Sequence, residues 1–361
     1  MTAPTDTLWD LEPHSRGKHH ILRRYAQAWL PIMTSTHPRV VLVDAFAGPG
    51  RYRGGEDGSP IILLKAYLDH ASRQKMRSQI DYVFIEERKD RVDHLLSEVD
   101  KLAKPRNVTV DVQLGPYQER FKPLLERLQQ TGRRPPPTFA FIDPFGYGDT
   151  PMDLTGQFLQ FQRCEVLIYM PLPFVSRFVG REGQEAVLTS LFGTDRWTEA
   201  IGLHGDERLR FLHDLFRDQL RASGCTYVRS FEIQSGGPRG YHLFFGTTNL
   251  LGLKRMKEAM WSLDPLTGQR FGDSTESGQL VLFQLKVNTA PLLAALKAHF
   301  GPREFSIEDA EEFTLVETIY AATHLRKHTL APAESGGELK ATTARRRACT
   351  YPDGTRLRFV A

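Results

Sequence analysis

A short apolar run that ends in a carboxylate and a glycine-rich turn constrains this chain more than any other feature. Residues 40–52 read VVLVDAFAGPGRY. Four consecutive apolar residues predict a buried strand, and Asp44 stands at its carboxyl end. Gly48 and Gly50 follow, and glycines at this edge of an open α/β sheet let the backbone approach a ligand closely. The stretch therefore predicts the first strand and the ligand-binding turn of an α/β fold.

Apolar runs of strand length alternate with longer amphipathic stretches over the first two thirds of the chain, as in a sheet covered by helices on both faces. The predicted strands are 40–46, 80–86, 107–113, 138–143, 165–170, 226–234 and 241–247. The predicted helices are 18–30, 60–70, 88–102, 117–131, 152–162 and 205–222. Seven strands whose last two form a hairpin, joined by the turn SGGPRG, are the layout of a Rossmann-like methyltransferase core, although other doubly wound folds share much of this layout.

A second carboxylate, Glu86, ends the second predicted strand. At this position a carboxylate accepts hydrogen bonds from the hydroxyls of a ribose. Asp44 and Glu86 at neighbouring strand ends therefore indicate a nucleoside cofactor, with Gly48 and Gly50 in the turn. Ser59 is expected to cap the next helix. The alternative is a plain strand-to-helix turn with Glu86 in solvent.

The turn distinguishes between two nucleoside cofactors. A dinucleotide fingerprint reads GxGxxG and presents a helix N-terminus to a pyrophosphate. Here the third glycine is displaced, and Asp44 would repel a phosphate but would suit a cationic amine. S-adenosylmethionine is therefore favoured over NAD.

The segment after the fourth predicted strand bears on catalysis. Residues 142–147 read IDPFGY. Methyltransferases that act on amino groups carry Asp or Asn, two prolines and an aromatic residue here. The acid and a backbone carbonyl hold the acceptor amine, and the aromatic ring stacks on the base. Asp143, Pro144, Phe145 and Tyr147 are therefore the predicted catalytic residues. The second proline is missing, which leaves open a simple strand-ending turn with Phe145 in the core.

Further candidates lie near the predicted strand ends. Gln113 and Leu114 follow the third strand, where an adenine ring would be contacted, although they can equally be ordinary loop residues. Arg177 follows the fifth strand, on the access route to the site or in a structural salt bridge. The histidines and the three cysteines show no metal-ligand spacing.

The last 23 residues carry the positive charge of the chain. Residues 339–361 have a net charge of +5 and the whole chain +4, so the rest carries −1. A helix, a second helix and an arginine-rich hairpin over 301–361 predict a winged-helix module that binds nucleic acid. Its predicted contacts are Arg326 and Lys327 in a recognition helix Thr323–Glu334, and Arg345, Arg346, Arg347, Tyr351 and Arg356 in the wing. A protein partner and a solvated charged face are the alternatives.

Several motifs resemble those of the three-Cys-motif partner proteins: KHHIL, DAFAGPGRY, GSP, FIEE, FIDPFGY, VETIYAATHL and RRRACTYPDGTRLRF. The resemblance implies a methyltransferase-like fold and a partner protein of the radical-SAM-like, three-Cys-motif type. The chain is also distantly similar to the 23S ribosomal RNA adenine-N6 methyltransferases. That similarity implies cofactor contacts by His19, Ser59 and Glu86, and catalysis by Asp143. Lys18, the neighbour of His19, is a further predicted cofactor contact. Phe46 stands where those enzymes have histidine. Lys18 and His19 can also be the exposed start of a helix.

These observations predict a cytoplasmic chain, since no apolar run reaches the length of a membrane span and the N-terminal segment lacks an apolar signal-peptide core. We expect a methyltransferase-like core over 1–262 with an insertion at about 171–204. A linker and helix over 263–300 and the winged-helix module over 301–361 follow. The predicted activity is methyl transfer from S-adenosylmethionine to a base amine of DNA or RNA. The alternatives are a catalytically altered accessory protein and a small-molecule methyltransferase.

Overall fold

The computed structural model describes residues 4–130, 135–234, 240–271 and 287–360. Residues 235–239 of the predicted hairpin turn and residues 272–286 of the predicted linker lie outside this set. Contacts divide the chain into two compact units. The first contains the described residues up to Asn249 together with Phe271. The second contains Leu250–Arg270 and residues 287–360.

The first unit is an α/β structure. Its strands are β1 (Arg39–Asp44), β2 (Gln79–Glu86), β3 (Val108–Leu114), β4 (Thr138–Ile142), β5 (Cys164–Met170), β6 (Tyr227–Ile233) and β7 (Tyr241–Thr247). Its α-helices are α1 (Pro13–Thr36), α2 (Ser59–Leu68), α3 (Lys89–Asp100), α4 (Tyr117–Gln130), α5 (Met152–Leu159), α6 (Leu172–Val175), α7 (Glu185–Phe192) and α8 (Gly205–Ala222). Short 3-10 turns lie at Arg73–Lys75 and Asp195–Ala200.

The strands form one sheet in the order β3-β2-β1-β4-β5-β7-β6, and the two-residue strand β8 (Arg270–Phe271) follows β6. β1 to β5 pair in parallel, whereas β7 runs antiparallel to both β5 and β6. This is the order of a Rossmann-like, class I methyltransferase core, so that part of the predicted fold class is confirmed, and the winged-helix module stays a prediction. The strand order reverses between β1 and β4, and in open α/β sheets ligands bind at the carboxyl edge beside such a point.

The first helix is longer than the sequence pattern predicted. α1 begins at Pro13, whose fixed φ suits a first helical turn, and it runs on to Thr36. It buries one face that includes Tyr25 and Trp29. No helix among the described residues is long and apolar enough to cross a membrane.

A buried carboxyl joins α1 to the centre of the sheet. Glu165 on β5 is 2% exposed. Its two oxygens accept hydrogen bonds of 2.6 Å from the hydroxyls of Tyr25 on α1 and Thr247 on β7. Burial raises the pKa of Glu165. The helix that carries Lys18 and His19 is thus fixed to the sheet by a polar contact as well as by apolar packing.

The second unit combines five helices with a small sheet. Its helices are α9 (Leu250–Leu263), α10 (Ala290–Phe300), α11 (Ile307–Glu317), α12 (Ala322–Leu325) and α13 (Ala331–Ser335). Its strands β9 (Phe305–Ser306), β10 (Leu339–Ala341) and β11 (Arg356–Phe359) form an antiparallel sheet in the order β10-β11-β9. Ser306 caps α11 in a capping box with Asp309.

The helix α9 packs within the second unit. Lys257, 1% exposed, donates hydrogen bonds of 3.1, 3.0 and 2.8 Å to the carbonyls of Thr314, Leu315 and Thr318. These carbonyls lie at the end of α11, where helical carbonyls lack intrahelical partners. The contact-based division therefore falls at Leu250. The sequence analysis placed the end of the core at residue 262, and that domain boundary stays a prediction.

The predicted recognition helix Thr323–Glu334 is not one regular helix. α12 ends at Leu325, a π-helical turn covers Arg326–Leu330, and α13 continues to Ser335. Pro332 is the second residue of α13, directly after the π-helical turn, and the helix continues past it to Ser335. The expectation that Pro332 shortens the last turn of a single helix was therefore wrong.

We expect Glu165→Ala to lower the free energy of unfolding by about 3 kcal/mol, because the buried hydroxyls of Tyr25 and Thr247 lose their acceptor. Glu165→Gln retains an acceptor and should cost about 1 kcal/mol.

The raised pKa of Glu165 also makes the stability of the protein depend on pH. A carboxyl with a raised folded-state pKa contributes stability at low pH that is lost as pH rises, so the wild type should lose stability relative to the Gln variant as pH rises. Urea unfolding of the three proteins measures both effects. Equal stabilities of the Ala and Gln variants would contradict the anchoring role.

Candidate functional site

The turn after β1 requires its glycines. Gly48 and Gly50 have φ angles of 61° and 79°, in the left-handed region that other residues avoid. A Cβ on Gly50 would lie 2.7 Å from Cδ1 of Leu95. The turn is therefore held close to α3 and presents backbone rather than side chains to the carboxyl edge of the sheet.

Asp44 is buried beneath this turn with one oxygen unused. It is 0% exposed, and its Oδ1 accepts a 3.2 Å hydrogen bond from the backbone N–H of Phe46. Its Oδ2 is buried and has no hydrogen-bond partner. Burial raises the pKa of Asp44 to about 7, and the nearby carboxylates Asp143 and Glu86 add to the rise. This buried oxygen is therefore an acceptor available to a donor from a ligand.

Ser59 has a different local role from the one predicted. α2 begins at Ser59 itself, and the capping position is Gly58, so the expectation that Ser59 caps the helix was wrong. The Ser59 side chain instead lies near Asp44, where its hydroxyl opposes part of the rise in the Asp44 pKa. Ser59 also lines the pocket described below.

Glu86 closes the other side of the turn. Its Oε2 accepts a 2.9 Å hydrogen bond from the N–H of Gly48, and its Oε1 accepts one of the same length from the N–H of Arg88. Glu86 is 6% exposed, so its predicted alternative as a solvated strand end was wrong. Burial raises its pKa, although these hydrogen bonds and Arg91 oppose the shift.

Asp143 forms a two-pronged ion pair with Lys18. The Nζ atom of Lys18 lies 2.9 and 2.7 Å from the two carboxylate oxygens, and the side chains are 7% and 18% exposed. The same Nζ lies 4.1 Å from the ring centre of Tyr169. Lys18 therefore balances the charge of Asp143 inside the site. The alternative that Lys18 and His19 are an exposed helix start was wrong, because both are buried.

His19 and His14, five residues before it on α1, are neutral at physiological pH. Burial, with a contribution from Lys18, lowers the pKa of His19 to about 3 and that of His14 to about 4. The Nε2 atom of His19 lies 3.5 Å from the hydroxyl of Tyr52. His14 stacks on Tyr169 with ring centres 6.5 Å apart. These rings form a neutral aromatic wall beside the Lys18–Asp143 pair.

Residues 4–12, which we call the N-terminal strap, cross the glycine turn. Arg53 donates to the carbonyl of Leu8, Arg88 to those of Pro4 and Thr5, and Arg91 to those of Pro4 and Asp6. Side chains from three points of the unit thus hold the strap by its backbone.

Trp9 anchors the strap over the turn. Its ring centre lies 5.8 Å from that of Tyr52 and 5.6 Å from that of Phe145, and the Arg91 guanidinium lies 4.7 Å from it. A Cβ on Gly48 would meet the Trp9 ring at 3.4 Å. The strap therefore forms one wall of the site.

These elements enclose a pocket at the carboxyl edge. Its lining includes many of the predicted residues: Lys18, His19, Phe46, Gly48, Gly50, Ser59, Asp143, Pro144 and Phe145. It also includes residues that the sequence analysis did not propose: Pro4, Trp9, Glu12, His14, Ser15, Ala47, Pro49, Arg51, Tyr52, Gly58 and Tyr169. Asp44 and Glu86 lie behind the lining and hold the backbone of Phe46 and Gly48.

Three predicted residues lie apart from this lining. Gln113 donates to Asp111 at 2.7 Å, and Leu114 is 40% exposed while its carbonyl accepts from Arg120. Tyr147 packs against Phe174 and Phe178 of the insertion. Their roles in cofactor or base contact stay predictions.

The predicted nucleic-acid contacts of the second unit fall into two groups. Arg345 is paired with Glu334, and the hydroxyl of Tyr351 donates to the same carboxylate at 2.8 Å. Arg326 pairs with Glu311 and Asp353. Lys327, Arg346 and Arg347 are exposed and form no ion pair with a described residue, and Arg356 lies 3.5 Å from Glu304. Of this second group, Lys327, Arg346 and Arg347 are available to meet an anion, whereas Arg356 is paired with Glu304.

A groove in the second unit brings several of the predicted contacts together. It is lined by Arg326, Lys327, Ala331, Ala344, Arg345, Arg346, Cys349, Thr350, Tyr351 and Pro352. No group of His, Cys, Asp and Glu side chains in the described part of the chain could hold a metal ion.

Comparisons with known proteins leave the family open. No protein-family model matches the chain, and no curated protein matches its sequence. Among solved structures it is similar to the O-methyltransferase TomG from Streptomyces achromogenes, at 18% identity over 64% of this chain and 80% of that one, with a TM-score of 0.35. An O-methyltransferase from Bacillus cereus is 16% identical over 66% and 83%, with a TM-score of 0.35. Trm1 from Pyrococcus horikoshii is 12% identical over 72% and 61%, with a TM-score of 0.36.

The sequence analysis missed four of the lining residues for two reasons. Trp9, Glu12 and His14 precede the predicted helix, and Tyr169 lies inside an apolar strand run. A tryptophan in a polar segment without helical or strand periodicity is the one signal that could have indicated a buried wall there. Nothing in the pattern around Tyr169 separates it from an ordinary core residue.

We expect Lys18 and Asp143 to be energetically coupled by about 2 kcal/mol or more, because removing either partner leaves a charge in a largely buried site. A double-mutant cycle of Lys18→Met, Asp143→Leu and the double variant in urea unfolding measures the coupling. The exposed pair Lys89 and Asp93, at 2.8 Å, is the control and should couple by less than about 0.5 kcal/mol. Equal couplings for the two pairs would refute a special role for the buried one.

Proposed function

We propose that this chain is an S-adenosylmethionine-dependent methyltransferase that acts on an exocyclic amine of a nucleic-acid base. The observation that carries the proposal is the unpartnered Oδ2 of the fully buried Asp44, beside a glycine turn that exposes backbone. A cationic amine is the ligand group that suits a buried, electron-rich acceptor with no other donor.

The residues that line the pocket and the two carboxylates behind the lining fit this cofactor by their charge. Asp44 would bind the amine of the cofactor, and Glu86 would bind its ribose hydroxyls. The backbone of Gly48 and Gly50 would lie against the cofactor between them. When bound, S-adenosylmethionine supplies an electrophilic methyl group on a sulfonium centre. A dinucleotide would place phosphates against three carboxylates, Asp44, Glu86 and Asp143, which repel them.

Asp143 and the carbonyl of Pro144 would hold the acceptor amine, and Phe145 would stack on the base. Positioning of this kind is a large part of catalysis between two bound groups. Lys18 fixes the orientation of the Asp143 carboxylate, since it contacts both oxygens. The neutral rings of His14 and Tyr169, with the strap residue Trp9, would exclude water from the acceptor side.

The second unit is proposed to be a winged-helix module that binds the nucleic acid. The order α10, β9, α11, α12–α13, β10, β11 and the sheet order β10-β11-β9 support this assignment. The exposed Lys327, Arg346 and Arg347 are the side chains available for phosphates, since Arg345 and Tyr351 are engaged with Glu334. We further propose a three-Cys-motif protein as a partner and a cytoplasmic location, both supported by the sequence alone.

Cofactor affinity should depend on the charge of Asp44. With a pKa of about 7 in the free protein, Asp44 is largely protonated below that pH and must lose its proton to pair with a cation. S-adenosylmethionine affinity measured by calorimetry should therefore fall by up to about tenfold for each pH unit below 7. In Asp44→Asn we expect at least tenfold weaker binding at pH 7.5 and no such pH dependence.

The stability of the same variant is the control. A raised pKa means that the stability contributed by neutral Asp44 is present below the unfolded pKa near 4 and is lost as pH rises through 7. Asp44→Asn should therefore be more stable than the wild type at pH 8, by about 2–4 kcal/mol. Weak cofactor binding by a protein that has gained stability separates loss of the site from unfolding. Folded wild type that gives no binding heat ends the enzyme proposal.

A second candidate is favoured by the Lys18–Asp143 pair itself. Lysine already contacts both oxygens of Asp143, and the second proline of the amino-methyltransferase segment is absent. These features would suit a methyltransferase-like accessory protein whose site no longer receives an amine.

Radiolabelled methyl transfer separates the two candidates. The enzyme proposal expects transfer to DNA or RNA, with at least a hundredfold loss in Asp143→Ala because the amine loses an acceptor and Lys18 loses its partner. Asp153→Ala, at an exposed carboxylate in the first turn of α5, is the control and should retain activity. Cofactor binding without any transfer would favour the accessory role.

A further inference from the structure

Three partly exposed aromatic side chains cluster beside the catalytic segment. The ring centre of Tyr147 lies 5.8 Å from that of Phe174 and 5.0 Å from that of Phe178, and the two phenylalanine rings are 5.1 Å apart. None of the three is fully buried. Tyr147 packs on one side against the core, and the remaining surface of the three rings forms a contiguous aromatic patch in contact with solvent.

The cluster is built on the two segments that leave the pocket. Tyr147 comes four residues after Asp143, and α6 with Phe174 begins two residues after β5, whose Tyr169 lines the pocket. Four residues of extended chain span about 14 Å at most, so Tyr147 lies within one or two nucleotide lengths of Asp143. The cluster therefore stands where the neighbours of a bound acceptor would lie.

Two arginines accompany the rings without a counter-ion. Arg177 and Arg181 are exposed, and neither forms an ion pair with a described residue. The Arg181 guanidinium carbon lies 5.2 Å from the ring centre of Phe178. In contrast, Arg196 of the same insertion is paired with Glu199 at 2.9 Å.

The segment that carries these side chains is fixed in place. Arg208 on α8 donates hydrogen bonds to the carbonyls of Ser176, Ile201 and Leu203. The hydroxyl of Tyr147 donates to Gln184, which ties the catalytic segment to the insertion. The rings and arginines therefore form a prearranged surface rather than a loose loop.

We propose that Tyr147, Phe174, Phe178, Arg177 and Arg181 form an aromatic–arginine platform that binds unpaired nucleotides next to the target base. The inference rests on the proposed function and specifies its substrate as single-stranded DNA or RNA, or an unpaired loop. Aromatic rings interleaved with arginines are how proteins hold single strands, since every base has a face that stacks. An unpaired acceptor also spares the cost of extruding a base from a duplex.

Fluorescence anisotropy with labelled single-stranded DNA, single-stranded RNA and duplex DNA tests the platform. Phe174→Leu with Phe178→Leu should weaken single-strand binding by about tenfold or more and change duplex binding by less than about twofold. Phe161→Leu is the matched control, a partly buried phenylalanine before β5 at the opposite end of that strand. The single strand that loses more affinity, DNA or RNA, identifies the substrate.

The arginines give a second readout that does not depend on packing. Arg177→Gln with Arg181→Gln should reduce the slope of log affinity against log salt for a single strand by about 0.7 per arginine. Arg196→Gln makes the same charge change at a paired, exposed site and should leave the slope unaltered. An equal reduction by Arg196→Gln, or none from the platform pair, would overturn the inference even if the phenylalanine variant fails to fold.

Calorimetry with S-adenosylmethionine keeps the two proposals apart. Both platform variants should bind the cofactor like the wild type, because no platform residue lines the pocket. If the wild type binds cofactor and the variants bind single strands unchanged, the platform is wrong and the proposed function stands. If the platform variants lose single-strand binding but the wild type binds no cofactor, the methyltransferase proposal fails and the binding surface stands. A wild type that binds no single strand overturns the platform.

Discussion

Three carboxylates meet at one edge of the sheet, and the rest of the site follows from that crowding. Asp44, Glu86 and Asp143 come from the ends of β1, β2 and β4, which the parallel pairing brings side by side. Buried like charges raise each other's cost of ionisation. Asp143 is balanced by Lys18 and Glu86 by backbone donors, whereas Asp44 keeps an oxygen with no partner and a pKa raised to about 7. The crevice is thus short of one cation, and a sulfonium nucleoside with a charged amine would supply it.

The elements around this crevice, α1 and the N-terminal strap, hold side chains in position and supply no reactive group. α1 is fixed to the sheet through Glu165 and carries Lys18 to Asp143. The N-terminal strap, held by Arg53, Arg88 and Arg91, lays Trp9 over the glycine turn. Both elements place apolar or neutral surface next to the ion pair, which lowers the local dielectric constant and strengthens every charge interaction there. Such an arrangement suits a reaction whose catalysis consists of holding two partners in line.

Sequence reasoning reached the fold and the strand-tip residues because their signals are local. Alternating periodicity predicted the strands and helices and their succession along the chain, and Asp44, Glu86 and Asp143 were identifiable as strand-end carboxylates. Sequence reasoning failed where the role of a residue depends on a contact with a residue far away in the sequence. The Lys18–Asp143 pair joins residues 125 positions apart, and Trp9 reaches the turn only because distant arginines hold the strap. In the second unit, Arg345 and Tyr351 looked like exposed contacts, but Glu334 engages both. Charge patterns show which residues are cationic, not which already have a partner.

The most direct test of the account is a crystal structure of the chain with S-adenosylmethionine at saturating concentration. The account predicts the ligand at the carboxyl edge of β1 and β2. Its amine should lie within hydrogen-bond distance of the Asp44 Oδ2, and its ribose hydroxyls should bond to Glu86. A pocket without ligand, or a ligand whose amine points away from Asp44 and leaves that oxygen without a donor, would contradict the central claim.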